Sequence, residues 1–273
     1  MDYRQLLVSV DLQHDVSYLL QRASKLAQLM AARLHVLSVL PLDEPFSGLA
    51  GSESLLRLKQ ESLDYLTRQV ATLPCQLGEC RVESGSVAAA VQGTLAQLHC
   101  DLLILGAQQH AGFAAGWGGE LAGLPHHRHD VLVLDGNRPF WSQPLTFQLF
   151  LPLNEEGKGL LARADRVARA LDAKLAVVSV LETPVGQTGQ QADAALCQAE
   201  HQLADWLVRL PHPPQSWQVI RGELGLLLAQ ARASAQSQLL IVGAGRTQAP
   251  HLSMGSHVPA LLQQAHGDLL ILH

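Results

Sequence analysis

The sequence predicts an α/β protein built as two doubly wound parallel-sheet domains in tandem, and three observations predict it. Short apolar runs alternate with amphipathic stretches of helical period, the pattern of repeated β-α-β units. Within the runs, apolar residues occupy successive rather than alternate positions, so both faces of each strand are buried, as in a parallel sheet covered by helices. Third, the chain repeats itself. Arg22-Ala-Ser-Lys-Leu-Ala-Gln-Leu-Met-Ala-Ala-Arg-Leu-His-Val-Leu-Ser-Val-Leu40 returns as Arg163-Ala-Asp-Arg-Val-Ala-Arg-Ala-Leu-Asp-Ala-Lys-Leu-Ala-Val-Val-Ser-Val-Leu181, an offset of 141 (163 − 22). Leu102-Leu-Ile-Leu-Gly-Ala107 returns as Leu239-Leu-Ile-Val-Gly-Ala244 at an offset of 137 (239 − 102), and Gly85 and Gly222 share that offset. A period of roughly 140 residues is the length of a domain and too long for a solenoid repeat.

In the first copy, Gln5-Leu-Leu-Val-Ser-Val10 reads as a buried strand bounded by Asp11. A helix follows, with Leu19, Ala23, Leu26, Ala27 and Met30 on one face. Residues 34–40 are the second strand and residues 41–52, rich in Pro, Asp and Gly, a loop. Leu56, Leu63, Leu66 and Val70 mark an amphipathic helix ending near Pro74. Residues 76–84 then read as a strand, 88–98 as a helix and 101–105 as a strand closed by Gly106. A Gly-rich loop, a short helix near Leu121 and a strand at 131–134 complete the copy.

The second copy keeps this order: strand 147–153, helix 160–171, strand 175–181, loop 186–191, and helix 196–210 ending before Pro211. Strand 217–220, helix 226–233, strand 239–242 and strand 269–272 follow. Two prolines mark Gly136-Asn-Arg-Pro-Phe-Trp-Ser-Gln-Pro144 as a linker. The predicted domains are therefore residues 1–137 and 144–273.

The bulk numbers exclude whole classes of function. With 19 basic against 24 acidic residues and a net charge of −5, the chain lacks the basic stripe of a nucleic-acid-binding protein. No apolar run is long enough to insert in a membrane. The opening Met1-Asp-Tyr-Arg-Gln leads into a strand rather than a signal peptide, so a cytoplasmic location is expected. Cys75, Cys80, Cys100 and Cys197 form no Cys-x-x-Cys pair and are read as reduced thiols.

In open parallel sheets, ligands bind beyond the carboxyl ends of the strands at the point where strand order reverses. That directs attention to Asp11 and Asn154, Val39 and Val180, and Gly106 and Gly243. Glycines after a strand let backbone N–H groups approach a phosphate, and a following helix N-terminus adds positive potential. In Gly243-Ala-Gly-Arg-Thr-Gln-Ala-Pro-His-Leu-Ser-Met-Gly255-Ser256, Ser256 either binds a phosphate oxygen or only caps the helix, and Arg246 could add charge-assisted contacts.

These features together resemble the universal stress proteins in tandem form, over nearly all of the chain. The resemblance implies two flavodoxin-like domains, a stress-response role, and domains joined through the last strand. It also implies adenine nucleotide binding in some members, through Gly-x-x-Gly, nine residues, then Gly-Ser or Gly-Thr, with an Asp after the first strand and a Val at the end of the second. In the second copy Val180 and Gly243 match; Asn154 replaces the Asp, Arg246 replaces the second glycine, and Gly255-Ser256 follows after eight residues. In the first copy Asp11, Val39 and Gly106 match; Gln109 replaces the second glycine, and Gly119-Glu120 stands where Gly-Ser belongs. A carboxylate there repels phosphate. The expected ligand is thus ATP or AMP with Mg in the second copy, held by Asn154, Val180, Gly243, Arg246, Gly255 and Ser256. The alternative is drift in a scaffold that no longer needs a nucleotide.

Pro125-His126-His127-Arg128-His129-Asp130 has metal-ligand residue types, but it sits in the turn before the last strand and has no counterpart in the second copy, so it reads as a solvated turn. His110, His251 and His257 lie in the glycine loops, and Trp117 fills a pocket or lies at a domain contact. No Gly-x-Ser-x-Gly elbow and no Gly-x-Gly-x-x-Gly after a first strand is present. The sequence therefore predicts a non-enzyme, at most slowly hydrolysing ATP: a stress-response protein forming an intramolecular pseudo-dimer across residues 131–134 and 269–272, with association into a homodimer left open. A binding module for a non-nucleotide small molecule or a protein partner is the rival reading.

Overall fold

A computed structural model of the chain describes residues 3–40, 53–107, 129–136, 138–181, 189–233, 238–244 and 267–273. Two compact units divide it, one holding residues 3–124 and 128–138, the other 139–273 together with 1–2 and 125–127.

In the first unit the described strands are β1 (Gln5–Val10), β2 (Arg33–Leu40), β3 (Gln76–Ser84), β4 (Leu102–Gly106) and β5 (Asp130–Leu134). The helices are α1 (Ser17–Leu29), α2 (Glu53–Val70) and α3 (Val87–Gln97). The strands lie in the order β3-β2-β1-β4-β5 and every pair is parallel. Successive residues Leu6, Leu7 and Val8 are all fully buried. Because successive side chains point to opposite faces, the sheet is covered on both. The chain runs outward from β1 to β3 and then crosses back to β4, so strand order reverses between β1 and β4.

The second unit repeats this with β6 (Leu145–Leu151), β7 (Ala173–Leu181), β8 (Ser216–Arg221), β9 (Leu239–Gly243) and β10 (Asp268–Leu272). Its helices are α4 (Glu155–Ala170), α5 (Gly189–Leu207) and α6 (Leu224–Ala233). The order is β8-β7-β6-β9-β10, again all parallel, reversing between β6 and β9. The predicted duplicated, doubly wound α/β fold is the fold observed.

The amino ends of the strands are fastened alike in the two units. The Asp101 carboxylate accepts the backbone N–H groups of Arg4 and Gln5 at 2.8 and 2.9 Å. Gln238, at the same repeat position, accepts the Thr146 N–H through Oε1 at 2.6 Å. Next to each lies an aromatic clasp. The Tyr3 hydroxyl donates to the buried Asp130 carboxylate at the start of β5, 2.6 Å away. The Trp141 indole N–H donates likewise to buried Asp268 at the start of β10, and its ring meets Phe147 edge-on at 5.4 Å. At the opposite end of β5, Arg22 of α1 is buried, donates through Nη1 to the Asp135 carbonyl at 2.8 Å, and stands 5.7 Å over the Tyr18 ring.

Some element limits differ from the sequence reading. Gly189–Gln191, expected in a loop, form the first turn of α5, and that helix ends at Leu207 rather than at 210. Helix α4 begins at Glu155, because Asn154 caps it; strand β6 begins at Leu145 and ends before Pro152, which cannot donate to a neighbouring strand. The loop at 41–52, the helix near Leu121 and residues 186–188 of the expected loop lie outside the described residues.

Candidate functional site

In the first unit, Asp11 directly follows β1. Its carboxylate accepts the Gln13 N–H at 2.9 Å through Oδ1 and meets His14 Nδ1 at 3.0 Å through Oδ2. This local turn turns the chain from the strand toward α1 and leaves both side chains part-exposed. Val39 is buried near the end of β2, and Gly106 ends β4. The β4 ladder continues one residue further, with the Ala107 N–H donating to the Leu134 carbonyl at 2.8 Å. Beside Val39, the Gly85 N–H donates to the Leu40 carbonyl at 3.0 Å with φ at +113°, a conformation that favours glycine. Ser86 then caps α3, accepting the Ala89 N–H at 3.4 Å. Strands β1, β2 and β4 are neighbours, so Asp11, Val39 and Gly106 stand at adjacent strand ends around the switch point.

The second unit brings Asn154, Val180 and Gly243 to the same places on β6, β7 and β9, which are likewise adjacent. Here the local chemistry differs. Asn154 has extended backbone (φ −140°, ψ −178°), and its Oδ1 accepts the Gly157 N–H at 3.0 Å, the standard geometry of a helix N-cap. The side-chain oxygen is therefore engaged by the protein. Gly157 leaves no room for a side chain, since a Cβ would stand 1.8 Å from the Pro152 carbonyl oxygen. Helix α5 leans on this turn: Gln202 Nε2 donates to the Leu153 carbonyl at 3.2 Å, and the Lys158 ammonium lies 5.6 Å over the Trp206 ring. Sequence reasoning passed over Lys158 and Trp206; no spacing in the chain joins them. Ser179 Oγ donates to the Leu151 carbonyl at 3.1 Å, tying the ends of β6 and β7 below half-buried Val180. A Cβ on Gly243 would come within 3.2 Å of Leu160 Cδ2, so this glycine also serves the close packing of α4 on β9.

Gly119, Arg246, Gly255 and Ser256 lie outside the described residues, as do His110, Trp117, His251 and His257. Two described clefts avoid both switch points. One of about 310 Å³ runs along the outer flank of β3 and α3, lined by Glu83, Ser84, Ser86, Thr94 and Gln97. The other, about 300 Å³, lies at the amino end of β7, lined by Asp165, Arg169, Lys174, His212 and Gln215. His126 and His127 also fall outside the described residues, and among those described no three His, Cys, Asp or Glu side chains are grouped to hold a metal. All four cysteines are free. Burial, with Asp101 nearby, pushes the Cys100 thiol up to about 12, which makes it inert at neutral pH. No described helix is long and apolar enough to cross a membrane.

The model of the universal stress protein family matches this chain twice, at residues 2–121 and 153–273. Similar folds occur in solved structures. A functionally unknown protein from Pseudomonas aeruginosa PAO1 is 16% identical with a TM-score of 0.68, covering 99% of this chain and 92% of its own. A universal stress protein from Archaeoglobus fulgidus DSM 4304 is 12% identical with a TM-score of 0.67, covering 98% and 95%. The cytoplasmic domain of a prokaryotic cation chloride cotransporter is 16% identical with a TM-score of 0.54, covering 98% and 95%. No curated protein matches the chain.

Proposed function

The chain belongs to the universal stress protein family, and from that premise we propose that it is a stress-response protein that binds an adenine nucleotide in its second unit and does not turn it over. The carrying observation is the convergence of Asn154, Val180 and Gly243 at the carboxyl ends of three adjacent parallel strands that flank a reversal of strand order. Asn154 Nδ2 and Val180 would meet the nucleoside. Gly243, Arg246, Gly255 and Ser256 would supply backbone N–H groups, a guanidinium and a hydroxyl to the phosphates. Mg bound with the nucleotide would neutralise phosphate charge. In the first unit Asp11 and Val39 keep the nucleoside side, while Glu120 after Gly119 opposes phosphate binding.

One observation favours a second reading, in which both nucleotide sites are vestigial and the protein binds another small molecule or a protein partner. The Asn154 oxygen is already spent on capping α4, and Glu155 and Glu156 follow it at the strand end. Calorimetric titration with ATP and AMP, with and without Mg, on the wild type and Gly255→Glu separates the two. Micromolar binding lost in the variant is the expected result. Absence of heat and of any thermal shift with every nucleotide would overturn the nucleotide reading and leave the second.

A further inference from the structure

The pairing of β2 with β3 is irregular at one point. Leu34 pairs with Leu77 and Val36 with Cys80, so His35 alone faces both Gly78 and Glu79. This is a β-bulge in the edge strand of the first unit. His35 is 5% exposed, and both of its ring nitrogens are occupied. Nδ1 accepts the Glu79 backbone N–H at 3.0 Å. That bond assigns the ring proton to Nε2, which donates to Gln5 Oε1 at 2.9 Å. The ring also fills the space beside Gly78, where a Cβ would stand 2.5 Å from Cε1 and Nδ1. A neutral imidazole thus satisfies the Glu79 N–H of the bulge and both of its own nitrogens. An imidazolium cannot, because a proton on Nδ1 would face the Glu79 N–H donor to donor.

We propose that His35 is an acid-released latch: its neutral ring holds the bulge of β3 closed, and protonation frees the amino-terminal part of that strand in the first unit alone. Beyond the bulge, Leu37–Leu40 keep their pairing with Arg81–Ser84, so the release stops short of the carboxyl end, where Val39 stands. The opening is transmitted outward. Arg81 binds Glu79 Oε2 at 2.6 and 2.8 Å and Gln97 Oε1 of α3 at 2.6 Å, so the side of the bulge that moves is roped to the helix lining the outer cleft.

The charged groups acting on the ring are Glu79 and Arg81 from β3 and Arg33 from β2; Glu79 favours the imidazolium and the two arginines oppose it. Burial is the largest influence and holds the ring below the ordinary imidazole value of 6.5. From β1 the ring meets neutral Gln5. Helix α3 carries no charged side chain, and of the two cations of α1, Arg22 is directed to the Asp135 carbonyl and Lys25 is exposed. The second unit supplies an internal control. Its residue at the repeat position, 141 places on (35 + 141), is Ala176, and β7 pairs with β8 in unbroken register from Ala176↔Ser216 to Leu181↔Arg221.

Amide hydrogen exchange of the full chain between about pH 7 and about pH 5, corrected for intrinsic exchange, tests the latch. Residues 76–80 are expected to lose about tenfold protection per pH unit below the ordinary imidazole value, until the ring itself has titrated, while residues 216–221 do not change. His35→Gln, whose amide oxygen accepts the Glu79 N–H at any pH, should abolish the acid response. Equal loss in both segments, or an unaltered response in the variant, would overturn the proposal. A second readout needs no variant: the NMR titration of the His35 ring in the wild type must share its midpoint with the Glu79 amide shift, and separate midpoints would also overturn it.

Discussion

Gly157 and Asn154 show how single residues shape the turn at a strand end. With a Cβ at 1.8 Å from a carbonyl oxygen, Gly157→Ala forces the turn apart and should cost about 3 kcal/mol in urea unfolding. Asn154→Ala removes the cap and should cost about 1 kcal/mol. Asn154→Ser keeps a capping oxygen but loses Nδ2, so it should preserve stability while weakening nucleotide binding; equal calorimetric affinity in wild type and Asn154→Ser would remove Asn154 from the binding site. His35 makes a pH dependence at the same scale. Because burial depresses its value in the folded protein, the unfolded chain takes up its proton first as pH falls. The contribution of His35 is therefore intact above the ordinary value of 6.5 and is lost as pH falls from there through the folded value. Chemical denaturation at several pH values should show a decline for the wild type that is reduced in His35→Gln; parallel curves would refute the assignment.

Among elements, what the sequence revealed follows from how locally each signal is encoded. Strands β1, β4, β9 and β10 are runs of five or six apolar-rich residues with sharp ends, and their limits fell within a residue of the reading. Helix starts are expected late where the first turn is polar: Glu155 to Lys158 of α4 and Gly189 to Gln191 of α5 carry no apolar stripe. The bulge was not legible, because Gly78 needs it only through His35, on another strand. The strand-end positions Asp11, Val39, Gly106, Asn154, Val180 and Gly243 were legible because each closes a short apolar run, whereas the rest of the glycine loops lies outside the described residues. The clasps were equally hidden, joining residues 127 positions apart in both units. Tyr3→Phe and Trp141→Phe each remove a donor from a buried carboxylate, and each should lower the unfolding free energy by about 2 kcal/mol. A change below about 0.5 kcal/mol in either variant would mean that the other partners of that carboxylate suffice.

For the whole molecule, duplication preserved the scaffold while residues at the strand ends diverged. Both units keep the strand order, the anchor at Asp101 or Gln238 and the aromatic clasp. They differ in the bulge, in the residue after the first strand and in the end of the glycine loop. If only the second unit takes nucleotide, titration should give one site per chain, and two equivalent sites would show that Glu120 does not exclude phosphate from the first. The clasps carry a further consequence, in the order of events as the chain folds. A bond between residues 127 apart closes a long loop, and its carboxylate is not in place until the last strand has joined the sheet. It should therefore be absent from the transition state. Removing either aromatic donor would leave the refolding rate unchanged and accelerate unfolding, so the clasps set how long a folded unit lasts rather than how quickly it forms.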